Sequence, residues 1–416
     1  MHPISHVKNL DFERIAGTDG EKKGYKYIVD FLNKNKIENT VEDFDLISFD
    51  FGTAEISVDK KTFNLKPYGL NENFQISAEL VFLENLEALL LNRGAFKGKI
   101  ILTYGFSRKY SKILKESEIA GLIIISGPYK QATSLSHRQK NYKDGYVPSA
   151  VISYDDAAKL SKYDGKEIQF TIKQNVYEST AHNVIATIPG NSNETGIIYL
   201  VGHYDTVANT SGSSDNTGGT SILLSVAEKI KDMSLKRTIK IIFFSGEELG
   251  LLGSSNYVKT HLNEIKKNAA IVINVDVSGD DIGKDAFGII GTNEIKGYVA
   301  GITREKGLSF DSKLQIYSSD GMPFAEYEIP SINIARFGGK SSFNIHTHLD
   351  CVKFVSKRGL ENTFKATLNI VEKLGKAEIF PLERKIDAKL RPDIEKYLWN
   401  LRFEKPTLKW EEKYKK

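Results

Sequence analysis

The chain has 416 residues, of which 40% are hydrophobic and 26% are charged, and this balance excludes disordered and fibrous proteins. Its formal net charge of +4 is small for this length and gives no reason to expect a nucleic-acid or membrane partner. The single cysteine, Cys351, excludes an intrachain disulfide and a cysteine-based zinc site, so any metal must be held by histidine and carboxylate groups.

The N-terminal sequence has neither the basic segment nor the apolar segment of a secretory signal. The longest apolar runs, such as residues 269–273, are far shorter than a membrane-spanning helix. We therefore expect a cytoplasmic protein, with a secreted form whose signal has been removed as the open alternative.

The first part of the chain predicts one long helix and then short strands. Helical spacing covers residues 11–35, with a loop at residues 17–20, and a strand-like pattern follows. Since a chain of this length usually forms more than one domain, we predict that residues 1–75 are only the N-terminal part of the main domain.

A second pattern, over residues 76–173, has its own buried strands near residues 97–104, 121–126 and 147–153. It contains almost no candidate metal ligand besides His137. We therefore predict a smaller, non-catalytic α/β domain inserted into the main one.

Residues 174–376 alternate apolar runs of strand length with segments of helical spacing. The predicted strands cover residues 182–188, 196–201, 238–244, 269–277 and 331–335, and the predicted helices cover residues 217–232, 249–260 and 295–306. This alternation is typical of an α/β fold with a mixed, mostly parallel sheet covered by helices on both faces. Residues 377–416 are predicted to form a charged helical tail that docks through Tyr397, Leu398, Trp399 and Leu401.

Candidate metal ligands lie at the ends of three predicted strands. His203 follows the first strand, Glu247 and Glu248 follow the second, and Asp276 lies at the end of the third. In open α/β sheets, ligands bind outside the carboxyl ends of the strands, so these side chains are expected to meet at one edge.

Some of these residues also have an ordinary structural explanation when taken alone. His203 and Asp205 could be a surface pair, yet in extended chain they point the same way, which lets Asp205 accept the second ring N–H of a ligating His203. Asp215 lies in a Gly- and Ser-rich loop before a predicted helix, where it is either an N-cap or a carboxylate that bridges two cations.

Glu247 and Glu248 are adjacent, so their side chains diverge, and one can bind a metal while the other faces the substrate. Two carboxylates side by side are costly unless a cation offsets their charge, although a helix N-terminus is the alternative explanation. His346 and His348 lie in one polar turn and are rival ligands, each of which alone could be a surface histidine.

The combined set has two histidines and three carboxylates, which are ligand types that zinc takes. Two metal ions about 3.5–4 Å apart need a shared ligand, and Asp215 is the predicted bridge. We therefore predict two zinc ions as cofactors, with cobalt or manganese as alternative occupants of the same ligands.

Together these residues resemble the co-catalytic di-zinc aminopeptidases, a superfamily that also includes the glutamate carboxypeptidases and the transferrin receptor. The matching stretches are residues 202–206, 214–218, 246–250, 274–276 and 345–350. The resemblance favours His346 over His348, because Asp350 follows His346 by four residues as in the family. It implies one ion held by His203, Asp215 and Asp276 and a second held by His346, Asp215 and Glu248.

The resemblance implies an aminopeptidase that hydrolyses peptide bonds with a hydroxide held by two zinc ions. Glu247 would be the general base and Asp205 the partner that orients His203, while Tyr317 is a candidate oxyanion donor. The substrate would be a peptide, and a homo-oligomer is left open. The alternatives are a carboxypeptidase or N-acyl amino acid deacylase with the same site, and an inactive binding protein on the same fold, although such a protein would be expected to lose ligands.

The predicted inserted domain resembles a protease-associated domain over residues 98–102, 120–125 and 147–152. This resemblance implies a role in substrate access, with a plain spacer as the alternative. Gly321 stands where the family often has histidine, and Cys351 stands where threonine or serine is common. Neither is a predicted ligand.

Overall fold

A computed structural model of the protein describes residues 1–104, 106, 110–191 and 196–402. Its strands form one open sheet of eight strands and one closed barrel of seven. In chain order the strands are β1 (Glu38–Phe49), β2 (Thr53–Val58), β3 (Lys61–Pro67), β4 (Phe74–Leu83), β5 (Ile100–Tyr104), β6 (Gly121–Ile125), β7 (Ser149–Ile152), β8 (Glu167–Lys173), β9 (Val176–Ile188), β10 (Ile197–His203), β11 (Thr238–Phe244), β12 (Ala269–Val275), β13 (Lys284–Ile290), β14 (Asp311–Leu314) and β15 (Ser331–Phe337).

The α-helices lie mainly before the first strand and between the strands of the open sheet. In chain order they are α1 (Pro3–Asn9), α2 (Asp19–Lys34), α3 (Ala88–Leu91), α4 (Ser111–Glu116), α5 (Gln139–Asp144), α6 (Tyr154–Leu160), α7 (Gly219–Ile230), α8 (Leu252–Thr260), α9 (Leu262–Asn268), α10 (Asn293–Arg304), α11 (Met322–Ala325), α12 (Lys340–Phe343), α13 (Lys357–Lys376) and α14 (Arg391–Arg402). Among these described helices, none is both long and apolar enough to cross a bilayer.

The open sheet has the strand order β1-β9-β11-β10-β12-β15-β13-β14. The four central strands β11, β10, β12 and β15 run parallel, β14 runs parallel to β13, and the other three pairs are antiparallel. The sheet is therefore mixed, as predicted. Because the central strands are parallel, their carboxyl ends meet at one edge, which is the edge that carries the candidate ligands.

Helices cover both faces of this sheet because successive residues of each strand point to opposite faces. In β10, Ile198 and Leu200 pack into a core with residues of α2, α7, α10 and α13. Tyr199 and Val201 of the same strand pack into a second core with residues of α8, α9 and α11. Burial on both sides explains the nearly continuous apolar runs in the sequence.

The barrel starts earlier in the chain than the sequence suggested. Its strand order is β2-β3-β7-β6-β5-β4-β8, so it spans residues 53–173. The sequence placed β2 and β3 in the N-terminal part of the main domain and set the boundary at residue 76. Their side chains alternate between buried and exposed, and Ile56, Phe63 and Leu65 close the barrel core against Ile168 and Phe170. This pairing is long-range, which a local pattern does not reveal.

The C-terminal segment docks through its apolar residues, as far as the structure describes it. In α14, Ile394, Leu398 and Leu401 are buried against Leu251 and Met322. Trp399, a predicted docking point, is 43% exposed instead. The rest of the predicted tail, residues 403–416, lies outside the described residues.

Candidate metal centre

The candidates at the three strand ends lie at the carboxyl edge of the central strands. His203 is the last residue of β10, Asp276 follows β12 directly, and Glu247 and Glu248 follow β11 in a tight turn. In that turn the backbone N–H groups of Gly250 and Leu251 donate to the carbonyl of Glu247, at 2.8 and 2.9 Å. The turn thereby directs both glutamates back over the edge of the sheet.

All five predicted ligands lie together, in two groups that share Asp215. The first group, which we call the strand half, contains His203, Asp276 and Asp215. The second, the loop half, contains His346, Glu248 and Asp215. Within each group the ligand atoms lie within 4.8 Å of one another. Each carboxylate oxygen of Asp215 faces a different half, which is the arrangement that a bridging ligand requires.

Distances within each half match the spacing of ligands around a zinc ion. In the strand half, His203 Nε2 lies 3.2 Å from Asp215 Oδ1 and 3.4 Å from Asp276 Oδ1. In the loop half, His346 Nε2 lies 3.4 Å from Asp215 Oδ2 and 3.2 Å from Glu248 Oε2. A tetrahedral zinc site with bonds of about 2.0–2.1 Å has ligand atoms about 3.3 Å apart, so the residues fit two such ions.

The buried charges of the site also favour bound cations. Burial raises the pKa of Glu248 and, separately, that of Asp276, and nearby Asp215 adds to both shifts. Glu248 Oε1 is buried and accepts no hydrogen bond from the described residues. Burial by itself would lower the pKa of His203, but its contacts with Asp205, Asp215 and Asp276 raise that pKa well above the usual value. Carboxylates in excess of histidines need positive charge, which metal ions supply.

Asp205 supports both halves without belonging to either group. The Nδ1 atom of His203 faces Asp205, 3.2 Å from its backbone carbonyl and 3.4 Å from Oδ1, which leaves Nε2 directed at the other ligands. The carboxylate of Asp205 also accepts hydrogen bonds from the backbone N–H groups of Glu247 and Glu248, both at 3.2 Å. The predicted partner of His203 therefore also fixes the turn that carries the two glutamates.

Asp350 fixes the backbone of the loop that carries the bridging residue Asp215. Its two oxygens accept hydrogen bonds from the backbone N–H groups of Ser214 and Asp215, at 2.7 and 3.0 Å, and one also accepts from the hydroxyl of Ser341. The N-cap explanation of Asp215 is wrong, because α7 has Gly218 as its N-cap and the side chain of Asp215 faces the two histidines. The peptide bond between Asp215 and Asn216 is cis.

The other residues named from the sequence lie around the five. His348 is exposed and outside both groups, and His137 lies in the barrel among Tyr68 and Tyr146. Glu247 lines the cleft beside the ligands but belongs to neither group. The hydroxyl of Tyr317 donates to the backbone carbonyl of Asp276 at 3.3 Å, while its ring lines the same cleft.

A cavity of about 360 Å³ opens over the two halves. Besides the candidate ligands its lining includes residues from two distant parts of the chain, namely Ser134 and Arg138 of the barrel and Tyr397 of α14. The sequence named Tyr397 only as a docking residue, and it gave no functional signal for Ser134 or Arg138. Polar loop residues have no periodic pattern that could have revealed their position over the cleft.

Known proteins resemble this chain in sequence. The model of "Peptidase family M28" matches residues 183–371. Aminopeptidase YwaD of Bacillus subtilis is 29% identical over 381 residues, which cover 86% of this chain and 80% of that protein. Carboxypeptidase Q of Xenopus laevis is 28% identical over 223 residues, which cover 49% of this chain and 47% of that protein.

Two solved structures share the fold of almost the whole chain. BSAP, a zinc aminopeptidase from Bacillus subtilis, superposes with a TM-score of 0.74 at 24% identity and covers 91% of this chain and 95% of its own. A peptidase M28 precursor from Shewanella amazonensis has a TM-score of 0.77 at 19% identity, over 92% and 94% of the two chains.

Proposed function

Because this chain belongs to peptidase family M28, we propose that it is a metal-dependent exopeptidase, specifically an aminopeptidase that removes residues from the N-terminus of peptides. Family membership makes it a zinc metallopeptidase. The observation that carries the proposal is the pair of ligand groups that share Asp215. In this proposal the strand half and the loop half each hold one zinc ion.

The mechanism follows from the residues around the cleft. When bound, the zinc ions would lower the pKa of a water that they hold and polarise the carbonyl of the scissile bond. The carboxylate of Glu247 lines the cleft and takes the proton from the attacking water as general base. It then returns this proton to the amine that leaves. The proton taken from water is thus the one that the leaving amine receives.

The environment of Glu247 suits a general base. Burial raises the pKa of Glu247 well above its usual value, with further contributions from the negative charges of Glu248, Asp276 and Asp320, while His203 opposes them. A raised pKa makes an ionised carboxylate a stronger base, and cations held by the two halves would keep Glu247 ionised. Asp205 holds the backbone N–H of Glu247 and so keeps this side chain over the cleft. Tyr317 stays a candidate oxyanion donor, although its hydroxyl already donates to Asp276.

A carboxypeptidase with the same site is the second candidate. It is favoured by the likeness to carboxypeptidase Q, which covers about half of this chain. The aminopeptidase is better supported, because the likeness to YwaD covers 86% of the chain and includes the barrel region. We also propose that the barrel is a protease-associated domain. The cytoplasmic location and the homo-oligomer stay predictions.

A substrate panel tests the proposed function directly. We expect the purified protein to hydrolyse aminoacyl p-nitroanilides and unblocked peptides from the N-terminus. A chelator should abolish the activity and added zinc should restore it. Activity only on C-terminal residues would favour the carboxypeptidase, and activity only on N-acyl amino acids would favour a deacylase. Full activity in the presence of a strong chelator would contradict metal dependence.

A further inference from the structure

One segment of the barrel reaches across to the metal centre. We call residues 126–139, between β6 and the first residue of α5, the crossing segment. It is held to the barrel by backbone hydrogen bonds with Gly69, from Gly69 N–H to the carbonyl of Leu135 at 2.8 Å and from His137 N–H to the carbonyl of Gly69 at 3.0 Å. Gly69 has to be glycine, since a Cβ there would lie 2.4 Å from Ser136 Oγ and 2.2 Å from Phe49.

The crossing segment contacts the turn that carries His346. The backbone N–H of Ser134 donates to the carbonyl of His346 at 2.7 Å, and Ser134 is 2% exposed. His346 has a positive φ of 64°, a conformation that is unfavourable for residues other than glycine. Nearby, the ammonium of Lys130 lies 5.1 Å from the ring centre of Phe343, just before this turn. The buried hydrogen bond therefore lies where the backbone of a ligand needs support.

The far end of the crossing segment is fixed to the open sheet. The side chain of Gln139 accepts from the backbone N–H of Ile47 and donates to its carbonyl, both at 2.8 Å. Arg138 packs against Gly250, so that its Cδ and Cζ atoms lie 3.0 Å from where a Cβ of Gly250 would be. Gly250 belongs to the turn of Glu247 and Glu248 and has a φ of +115°. The segment thus spans from the His346 turn to the glutamate turn.

The two halves differ in how much they need this support. His203 and Asp276 are fixed by β10 and β12, and the side chain of His203 is only 1% exposed. His346 lies on a turn, and its side chain is 29% exposed. The contacts of the crossing segment reach the loop half, and no described contact of Ser134 involves the ligands of the strand half.

We propose that the barrel is part of the metal centre, with Ser134 as a positioning residue that holds His346 through its backbone N–H and so sets the zinc affinity of the loop half. This proposal rests on the proposed two-zinc site. Loss of a group that orients a metal ligand typically lowers metal affinity 10- to 100-fold. The loss of affinity is confined to the loop half, because the strand half has its own supports.

The test compares Ser134→Pro, which removes the N–H, with Ser134→Ala, which keeps it. The hydroxyl of Ser134 has no hydrogen-bond partner among the described residues, so its removal leaves the contact with His346 intact. The zinc-loaded protein is titrated with a chelator, and the release of each ion is followed. We expect Ser134→Pro to weaken one ion about 10- to 100-fold and to leave the other within twofold of wild type. Ser134→Ala should release both ions as wild type does.

Gln139→Ala decides the question if Ser134→Pro does not fold, as judged by circular dichroism and thermal melting. It loosens the far end of the segment, and we expect the same ion to weaken at least about threefold, a smaller effect than direct loss of a positioning group. Tyr129→Ala is the control, since Tyr129 is 87% exposed on the same segment. If a folded Ser134→Pro releases both zinc ions as wild type does, the proposal is overturned. The same result from Gln139→Ala overturns it when Ser134→Pro does not fold. Equal weakening of the binding of both ions also overturns it. If the wild-type protein binds fewer than two zinc ions, that result contradicts the proposed two-zinc function itself, and it can be told apart from a failure of the Ser134 proposal.

Discussion

The two halves of the site use the same kinds of ligand but differ in their support. The strand half places a histidine and an aspartate at the ends of central parallel strands, where the sheet itself fixes the backbone. The loop half places a histidine and a glutamate on turns. Asp205 accepts a hydrogen bond from the backbone N–H of Glu248, and the backbone N–H of Ser134 donates to the carbonyl of His346. The rigid edge of a sheet thus provides one metal position, whereas the second requires contacts from distant parts of the chain.

Asp215→Ala removes the one ligand that both halves share, so it has the largest expected effect. We expect zinc content to fall below one ion per chain and kcat/KM to fall by more than about 10⁴-fold, beyond the loss expected for a general base alone. Elemental analysis and an aminoacyl p-nitroanilide assay measure the two quantities. Asp232→Ala is the matched control, since Asp232 is exposed just beyond the other end of α7. A variant that retains two ions would show that the halves do not share this ligand.

Glu247→Gln leaves both halves complete and tests only the proton transfer. The amide cannot accept a proton from water, so we expect kcat to fall by about 10² to 10⁴-fold. Zinc content should stay at the wild-type value, because Glu247 belongs to neither ligand group. Near wild-type turnover would remove Glu247 from the mechanism, and a loss of zinc would make it a ligand instead.

Asp205→Asn acts on both halves at once, through His203 in one and through the backbone of Glu248 in the other. The carboxylate of Asp205 accepts hydrogen bonds from two backbone N–H groups. The NH₂ group of an asparagine would face one of these donors and could not accept its hydrogen bond. We expect both ions to bind roughly 10- to 100-fold more weakly, as for other residues that orient metal ligands. Chelator titration checks this expectation, and a loss confined to one ion would mean that Asp205 supports only that half.

Tyr397→Phe lies outside both halves and has the smallest expected effect. Its hydroxyl and that of Ser318 are 2.6 Å apart at the wall of the cleft. Loss of this hydrogen bond, of about 0.5–1.5 kcal/mol, loosens the wall of the cleft, and we expect KM to change by at most about 10-fold with zinc affinity unchanged. Steady-state kinetics on substrates with large and small N-terminal side chains measure it. Trp399→Phe, on the same helix but away from the cleft, should behave as wild type.

The strand half was the more predictable part of the site. Apolar runs lead directly into His203 and Asp276, and the rule that ligands bind at the carboxyl ends of parallel strands places them at one edge. Asp215 alone looked like an N-cap, and His346 could be separated from His348 only by resemblance to a family. The sequence of a turn does not say which of its side chains faces inward.

The fold, like the site, was predictable where local sequence decides the structure and unpredictable where distant residues decide it. The central strands could be read from the sequence because burial on both faces leaves long apolar runs. β13 and β14 were not predicted, and the start of the barrel was placed too late, because β13 pairs with β15 and the first barrel strands pair with β8 and β7, which are distant in the sequence. The contact between Ser134 and His346 joins residues that are far apart in the sequence, so no local pattern could indicate it.

Anomalous diffraction at the zinc edge, from crystals of the zinc-loaded protein, would locate each ion relative to Asp215. We predict two peaks about 3.5–4 Å apart, one beside Asp215 Oδ1 with His203 and Asp276 and the other beside Asp215 Oδ2 with His346 and Glu248. A single peak, or peaks that do not share Asp215, would show that the two halves do not form a bridged pair of zinc sites.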